Sequence, residues 1–497
     1  MAKREIPAPK SIKVNFIMNA VLKMSAFIFP LITFPYVSRI LGATGNGKIT
    51  FAASVISYFS MFAQLGIPTY GIRACASCRN DKQRLNQTVF ELLLINAVTV
   101  GFSYLILAFC LISVKRFQED IALMCISSCT ILLNAIGMDW LFQALEQYSY
   151  ITIRNIGFKI LSVVLMFLFV HKPEHYTVYG TINVIGTCGS NILNCVYARS
   201  FLDKSIVKKL DWRKHIKPIL SFFMLSVSVS IYTHMDSVML GFMTTDAEVG
   251  YYTAATKMKT ILVSAVTALG GVLLPRMSHL VAEGKMRQFY ATIRKSLNFI
   301  FVVAIPITIY FSIMAGSTIG FLAGNGYAPA TTPMKIISLT VVFIGISNIT
   351  GMQVLVPTNR ERITTYSTVA GALINLITNA IAIPKYGAVG AAIGTVVAEL
   401  TVLVFQLCFM RNEIKDMING IQFWKIFVAN AISTLALYLI NQAVVISSNF
   451  LALLITAFLF FAIYGVVLVI LREDFIIQML SSFIRQIKDR PIHRRRH

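Results

Sequence analysis

Long apolar runs constrain this chain more than any other feature of its sequence. Runs of roughly 20 apolar residues recur from residue 14 to residue 471, with short polar connections between them. Charged residues make up only 13% of the 497 residues, and apolar residues make up 56%. The core of a water-soluble protein cannot accommodate so much apolar sequence, so most of the chain must lie in lipid.

The length of these runs decides between the two structures that can cross a bilayer. Within lipid, every backbone N–H and C=O group needs a partner in its own helix or in a closed barrel. A barrel strand needs about 10 residues of alternating polarity, whereas these runs are about twice as long. We therefore predict an all-α integral membrane protein with about 14 transmembrane helices. The predicted limits are residues 12–38, 46–70, 85–112, 119–142, 147–170, 177–200, 217–241, 249–275, 290–314, 332–356, 362–383, 388–410, 423–443 and 450–471.

Lysine and arginine are unevenly divided between the two sets of connecting loops. One set holds most of them, at residues 3–13, 73–84, 199–217, 276–295 and 494–496. The opposite set holds little beyond Lys48, Lys115, Arg116, Lys172 and Lys385. Because basic loops stay in the cytoplasm, this asymmetry predicts a multi-pass chain with both termini cytoplasmic. It also accounts for the net charge of +23 without nucleic acid, which we do not expect as a partner.

The two halves of the predicted helix set carry matching motifs in the same order. Leu41-Gly42 matches Leu240-Gly241, and Gly47 followed by Phe51 echoes Gly250 followed by Thr253. We predict a direct repeat of six spans, and chance matching in a Leu-, Gly- and Ala-rich chain is the alternative. The predicted organisation is an N-terminal lobe (residues 1–200), a C-terminal lobe (201–412), two additional spans (413–471) and a basic cytoplasmic tail (472–497).

Polar residues lie on one face of several predicted spans. Asn15, Asn19 and Lys23 are four residues apart in the first span, and Lys257 shares a face with hydroxyl residues in the eighth. Such faces from the two lobes would line a central water-filled cavity, where repeat-built transporters bind their substrates. We predict substrate binding by Lys23, Lys257, Asn19, Asn15, Arg39, Gln64 and Arg73. For Arg39 and Arg73, which end their spans, contact with lipid headgroups is the alternative.

Three further charged residues are predicted to couple an ion or to form ion pairs: Asp236, Glu399 and Lys159. Asp236 and Lys257 lie at similar predicted depths and can pair, and simple neutralisation of two buried charges is the alternative to an ion site. Glu399 and Lys159 can instead join neighbouring helices. No cofactor or metal is expected, and coupling to Na⁺ or H⁺ stays open. No zinc-protease, Walker or nucleophile-elbow motif is present, so we do not expect an enzyme.

Four stretches of the sequence form a recognisable set of motifs. They are Phe34-Pro35-Tyr36-Val37-Ser38-Arg39-Ile40-Leu41-Gly42, Asp236 with Leu240-Gly241, Gly250-Tyr251-Tyr252-Thr253-Ala254-Ala255 with Lys257, and Tyr386-Gly387-Ala388-Val389-Gly390-Ala391. In these motifs the sequence resembles the polysaccharide-biosynthesis flippases, the Wzx-type members of the multidrug/oligosaccharidyl-lipid/polysaccharide exporter superfamily. The resemblance covers nearly the whole chain, and these small apolar motifs specify a fold better than a substrate.

The resemblance implies two lobes around a central cavity, alternating access and a polyprenyl-diphosphate-linked oligosaccharide as cargo. It places the chain in a bacterial cytoplasmic membrane, with membrane lipids and polysaccharide assembly proteins as candidate partners, and we expect a monomer. Lysines in a low dielectric suit a diphosphate. A drug or organic-cation exporter of the same superfamily is the first alternative, because Asp236 and Glu399 are acidic. A membrane-embedded glycan polymerase is the second, although its large outer loop is not evident.

Overall fold

A computed structural model describes residues 11–203, 210–444, 446–479 and 481. The described residues form helices joined by short turns and no strand, as the apolar run lengths predict. The first helices are α1 (Ile12–Gln64), α2 (Ile67–Ser77), α3 (Lys82–Ser113), α4 (Lys115–Gln118), α5 (Ile121–Gly137), α6 (Asp139–Ala144), α7 (Tyr148–Phe169), α8 (Tyr176–Val184) and α9 (Asn191–Arg199). They are followed by α10 (Arg213–Met243), α11 (Asp246–Ala282), α12 (Met286–Ile313), α13 (Ala315–Ala323), α14 (Thr331–Ile337), α15 (Thr340–Asn348), α16 (Glu361–Phe409), α17 (Arg411–Ile418), α18 (Phe423–Ala443) and α19 (Asn449–Ile470).

Two of these helices are too long for a single crossing. At 1.5 Å per residue, the 53 residues of α1 would extend about 80 Å, whereas the hydrocarbon core is about 30 Å thick. Each is interrupted at one glycine with a left-handed backbone, Gly42 in α1 (φ 66°) and Gly387 in α16 (φ 53°). Glycine adopts this conformation without a Cβ penalty. The interruptions divide both helices into segments that can each span a bilayer.

The structure does not confirm the predicted count of 14 spans. Among the described residues, eight helices are long and apolar enough to cross a membrane, or up to ten if each of two bent helix pairs counts as one span. The predicted spans at residues 177–200 and 217–241 are not among them. A wider helical turn at Ile185–Gly189 divides the first of these by separating α8 from α9. The first ten residues and most of the predicted basic tail lie outside the described residues.

The contacts divide the chain into two compact units. The first comprises residues 1–253 with 383–388, and the second comprises residues 254–382 with 389–497. Apolar residues of α2, α3 and α6 form the main core of the first unit, with Ile67, Leu92 and Phe142 almost fully buried. Aromatic rings extend this core, since Phe142 stacks on Tyr197 at a centroid distance of 5.7 Å.

Helix α12 is the centre of the second unit. Its residues Phe289, Ile293 and Leu297 are buried against apolar residues of the helices around it. The two helices predicted as additional spans, α18 and α19, also pack on α12. Tyr464 donates a hydrogen bond to the Val302 carbonyl at 3.0 Å, which satisfies a buried hydroxyl between α19 and α12.

Candidate functional site

The polar face predicted in the first span lies on the N-terminal segment of α1. Asn15 is buried, Asn19 is partly buried and Lys23 is exposed. Lys23 forms no hydrogen bond or ion pair within the described part of the chain. An intramembrane ammonium without a partner is stable only where water or an anion reaches it, so Lys23 remains a strong candidate for anion binding.

Lys257 lies on α11 in the second unit, and its side chain is also exposed. The hydroxyls that share its helical face bond to their own helix, as Thr260 does to the Thr256 carbonyl and Ser264 does to the Thr260 carbonyl. No described side chain forms an ion pair with Lys257. Its neighbour Lys259 is only partly exposed.

Lys159 joins two helices of the first unit. Its ammonium donates to the Ser25 hydroxyl at 2.9 Å and lies 5.8 Å from the centre of the Phe29 ring. These contacts attach α7 to α1. The geometry therefore favours helix-to-helix bonding, the alternative given for this residue above, over a free coupling group.

Asp236 is buried in α10, where the Tyr252 hydroxyl donates to its carboxylate. Sequence reasoning missed Tyr252, although it stands in the Gly250-Tyr251-Tyr252 motif. The predicted pair between Asp236 and Lys257 stays a prediction.

Glu399 is buried in the C-terminal segment of α16. On the same segment, Gln406 donates to the Ser367 hydroxyl at 3.1 Å and accepts from Thr350. These bonds connect the two segments of α16 with the helical turn that precedes it. Gln406 therefore has a structural role in the second unit, and the role of Glu399 stays a prediction.

The remaining predicted residues lie near helix ends. Arg39 is exposed and donates to the Pro35 carbonyl at 2.6 Å. Gln64 bonds to the Ser60 hydroxyl at 3.1 Å in its own helix. Arg73 is exposed on α2. These contacts of Arg39 and Gln64 are within α1 itself. Binding of lipid headgroups by Arg39 and Arg73 stays an alternative to binding of the cargo.

A buried carboxylate cluster, which we call the Glu91 cluster, was missed by the sequence analysis. Glu91 of α3 is fully buried and accepts from the Lys214 ammonium at 2.8 Å and from His215 Nε2 at 2.8 Å. It also accepts from the Asp211 amide at 2.7 Å, and Tyr70 bonds to His215 Nδ1 at 2.7 Å. Full pairing is what makes a buried carboxylate tolerable, and here it attaches the start of α10 to α3.

A second group of charges, the Asp246 cluster, lies where α1 is interrupted and where α11 begins. Arg116 forms ion pairs with Asp246 and with Glu119, and it donates to the Gly241 carbonyl at 2.8 Å. Burial lowers the pKa of Arg116, but the nearby carboxylates of Asp246 and Glu119 outweigh this effect and raise it overall. The guanidinium is therefore permanently charged in this cluster.

Two further ionic contacts belong to the Asp246 cluster. Lys48 pairs with Asp120 at 2.9 Å, and Tyr176 donates to the same carboxylate at 2.9 Å. Glu248 accepts from the Ala388 amide at 2.6 Å, immediately after the interruption of α16. An anion at a helix N-terminus is favourable, because the first amides of a helix have no partner in the helix. The cluster thus connects α1, α4, α8, α10, α11 and α16 near helix ends or interruptions.

Glycines allow these helix ends to approach closely. A Cβ atom on Gly250 would lie 2.1 Å from the Ala43 carbonyl oxygen, and one on Gly241 would lie 2.1 Å from the Phe51 ring. Both glycines were found as members of the internal repeat. The sequence therefore contained the signal for this contact, although it did not show that the matched motifs touch.

Arg154 of α7 is a third missed residue. Its guanidinium is buried and pairs with Asp139 at 2.7 Å, and Asn194 donates to the same carboxylate at 2.7 Å. Because Arg154 and Asp139 neutralise each other, they are more readily explained as structure than as cargo binding. No group of three or more described His, Cys, Asp or Glu side chains is arranged to hold a metal ion.

The comparisons with known proteins agree on one class. The model of a family described as polysaccharide biosynthesis protein matches residues 12–281, more than half of the chain. A candidate O-antigen transporter of Escherichia coli (strain K12) is 23% identical over 81% of this chain and 97% of that protein. The candidate low-salt glycan biosynthesis flippase Agl15 of Haloferax volcanii is 24% identical over 37% of this chain and 39% of that protein.

Solved structures show the same fold at lower identity. The lipid II flippase MurJ, in an inward closed conformation, superposes with a TM-score of 0.70 at 18% identity, covering 93% of this chain and 100% of that chain. A multidrug resistance transporter of the MATE family, in an inward-facing conformation, gives a TM-score of 0.63 at 12% identity over 81% of this chain and 99% of that chain. At these identities the likeness defines the fold alone.

Proposed function

The chain belongs to the polysaccharide biosynthesis protein family, and from this premise we propose that it flips a polyprenyl-diphosphate-linked oligosaccharide across the bacterial cytoplasmic membrane by alternating access. The relatives that support this substrate class are candidate O-antigen transporters and a candidate glycan flippase. The cargo is transported without a change in its covalent bonds. Membrane lipids surround the protein, and polysaccharide assembly proteins are candidate partners.

The observation that carries this proposal is the state of Lys23 and Lys257. Each is an exposed ammonium on an apolar helix, and neither has a carboxylate partner within the described residues. Retaining such a charge costs several kcal/mol unless water or an anionic ligand stabilises it. A diphosphate fits both requirements, because it is strongly anionic and must pass through the apolar layer.

Alternating access requires helix ends that are in contact in one conformational state and separated in another. The Asp246 cluster has the necessary composition, because ion pairs and close glycine contacts can break and re-form without disrupting an apolar core. The uneven distribution of basic loops predicts that this cluster lies on the extracytoplasmic side and the Glu91 cluster on the cytoplasmic side. In this proposal, opening the Asp246 cluster releases the cargo outward.

An organic-cation exporter is the competing function, and the buried carboxylates of Asp236 and Glu399 favour it. Proteoliposomes separate the two functions directly. We expect purified protein to transfer a fluorescent diphosphate-linked glycan between leaflets faster than protein-free vesicles do, and to leave the distribution of an organic cation unchanged. Cation transport without glycan transfer would replace the flippase proposal by the exporter.

A further inference from the structure

A groove with one cationic end runs along the first unit, and none of the residues that were predicted to bind substrate lines it. It consists of three consecutive cavities of about 720, 480 and 670 Å³. The first and second share Trp212, Ile216 and Leu220, and the second and third share Leu65, Val98 and Thr99. Because neighbouring cavities share wall residues, the three cavities form one continuous groove between α10, α3 and the C-terminal segment of α1.

The end of the groove at α10 is basic. Arg213 and Lys217 line the first cavity, and neither side chain forms an ion pair with any described residue. Their neighbour Lys214 differs in this respect, because its ammonium is bound by the buried Glu91 carboxylate. Two unpaired cations therefore remain at this end to bind an anion such as a phosphate.

Beyond this end the walls become apolar. Phe62, Val98 and Phe102 line the third cavity, and more than half of each side chain is exposed. The hydroxyl of Thr99 donates to the Ala63 carbonyl, so its single O–H donor is not available to an occupant. From Leu94 to Ile106, α3 advances about 18 Å, which is more than half of the hydrocarbon thickness of about 30 Å.

We infer that this groove binds the polyprenyl phosphate portion of the lipid carrier, with the phosphate at Arg213 and Lys217 and the isoprenoid chain along α3 and α1. The groove has one basic end that is followed by adjoining apolar cavities. A matching occupant therefore combines one compact anion with one long apolar chain. This inference rests on the proposed function, since it names the carrier lipid of the same cargo. The groove is therefore a loading site for the carrier, from which the diphosphate moves to Lys23 and Lys257 before the glycan crosses.

The test measures binding of a fluorescent, glycan-free polyprenyl monophosphate to the full-length protein in detergent. Val98→Trp fills the groove, and Ile112→Trp is the matched control, because both residues are exposed apolar positions on α3 and Ile112 does not line the groove. We expect Val98→Trp to raise the Kd about tenfold or more and Ile112→Trp to leave it unchanged. Equal effects of the two substitutions would overturn the inference.

The basic end has its own matched test. Arg213→Gln combined with Lys217→Gln should also raise the Kd about tenfold, whereas Lys82→Gln with Arg84→Gln, two exposed cations outside the groove, should not. Competition identifies the source of the anion. If phosphatidic acid displaces the probe as effectively as unlabelled polyprenyl phosphate does, the groove is a general lipid site. If inorganic pyrophosphate displaces the probe and the lipids do not, the groove is a headgroup site. Either result rejects the inference.

A photoreactive polyprenyl monophosphate gives a measurement that needs no variant. Crosslinks to the wild-type protein should fall within residues 94–106 and 212–220, and crosslinks confined to other segments would contradict the groove. Binding in this assay does not depend on transport. Specific binding without glycan flipping would therefore reject the proposed function and keep the groove, whereas glycan flipping with crosslinks elsewhere would reject the groove alone.

Discussion

Gly47 lies so close to the backbone of Asp246 and Gly250 that it has no space for a side chain, and Gly250 has none because the Ala43 carbonyl oxygen would lie 2.1 Å from its Cβ. A Cβ atom on Gly47 would be 3.1 Å from the Gly250 amide nitrogen and 1.7 Å from the Asp246 carbonyl oxygen. These two glycines occupy matching places in the internal repeat. The repeat therefore juxtaposes its own motifs at the Asp246 cluster, and the absence of two side chains permits the contact.

Gly47→Ala should separate these helix ends. The added Cβ overlaps backbone atoms, and such overpacking costs about 1–3 kcal/mol. In a cysteine-free background, we expect the substitution to raise the rate at which a cysteine at Ala247 reacts with a thiol reagent, about fivefold or more. Gly101→Ala is the control, because no atom lies within 4 Å of its added Cβ. An unchanged rate in Gly47→Ala would show that the contact is not tight in the membrane.

Arg116→Gln should weaken the same cluster through charge. The Arg116 and Asp246 side chains are only 17% and 13% exposed. Leaving the Asp246 carboxylate without its partner should therefore lower the free energy of unfolding by about 1–3 kcal/mol. We expect a lower midpoint of thermal unfolding, with partial recovery in the exchange Arg116→Asp with Asp246→Arg. Arg84→Gln should have no measurable effect, since Arg84 forms its ion pair at an exposed position. Equal midpoints for the Arg84 and Arg116 variants would exclude a stabilising role.

Glu91→Ala should be among the most destabilising substitutions in the first unit. It removes the only carboxylate that described residues place between Lys214 and His215, and the buried His215 and the Asp211 amide lose their hydrogen-bond partner at a cost of about 1–3 kcal/mol each. Glu91→Gln retains the shape of the side chain and should cost less. Thermal unfolding in detergent measures both, with the partly exposed Glu283→Ala as control. A midpoint for Glu91→Ala within error of the wild type would contradict this account.

Lys23→Ala and Lys257→Ala should each abolish glycan flipping at equal protein level. Each removes a cation proposed to hold the diphosphate, while membrane insertion should stay normal because no described ion pair is lost. Arginine at either position should retain part of the activity, because it keeps the charge but changes the geometry. Lys259→Ala is the matched control on α11. Wild-type flipping by both alanine variants would remove these lysines from the mechanism.

The proposed orientation can be tested with single cysteines. A cysteine at Ser77, an exposed position after Arg73, should react only with a reagent on the cytoplasmic side. A cysteine at Ala247 should react only from the extracytoplasmic side. An impermeant thiol reagent applied to intact cells distinguishes them. Reaction of Ser77→Cys from outside would invert the topology.

The sequence by itself determined the class of this protein. Runs of about 20 apolar residues require helices, because each backbone group in lipid must find its partner within the same segment. The repeat motifs likewise marked Gly42, Gly47 and Gly250, since only a missing Cβ permits a left-handed turn or a close helix contact. These requirements are local, so each can be recognised from a single segment of the sequence.

Only the tertiary structure decided which charges pair. Glu91 binds residues more than a hundred positions away, and Asp246 binds Arg116 at a similar separation. Hydropathy shows that a buried charge needs a partner but does not identify it, because the rotation and register of packed helices select the neighbour. For the same reason the sequence did not show that Lys159 bonds Ser25, or that an apolar groove along α3 has a basic end at α10.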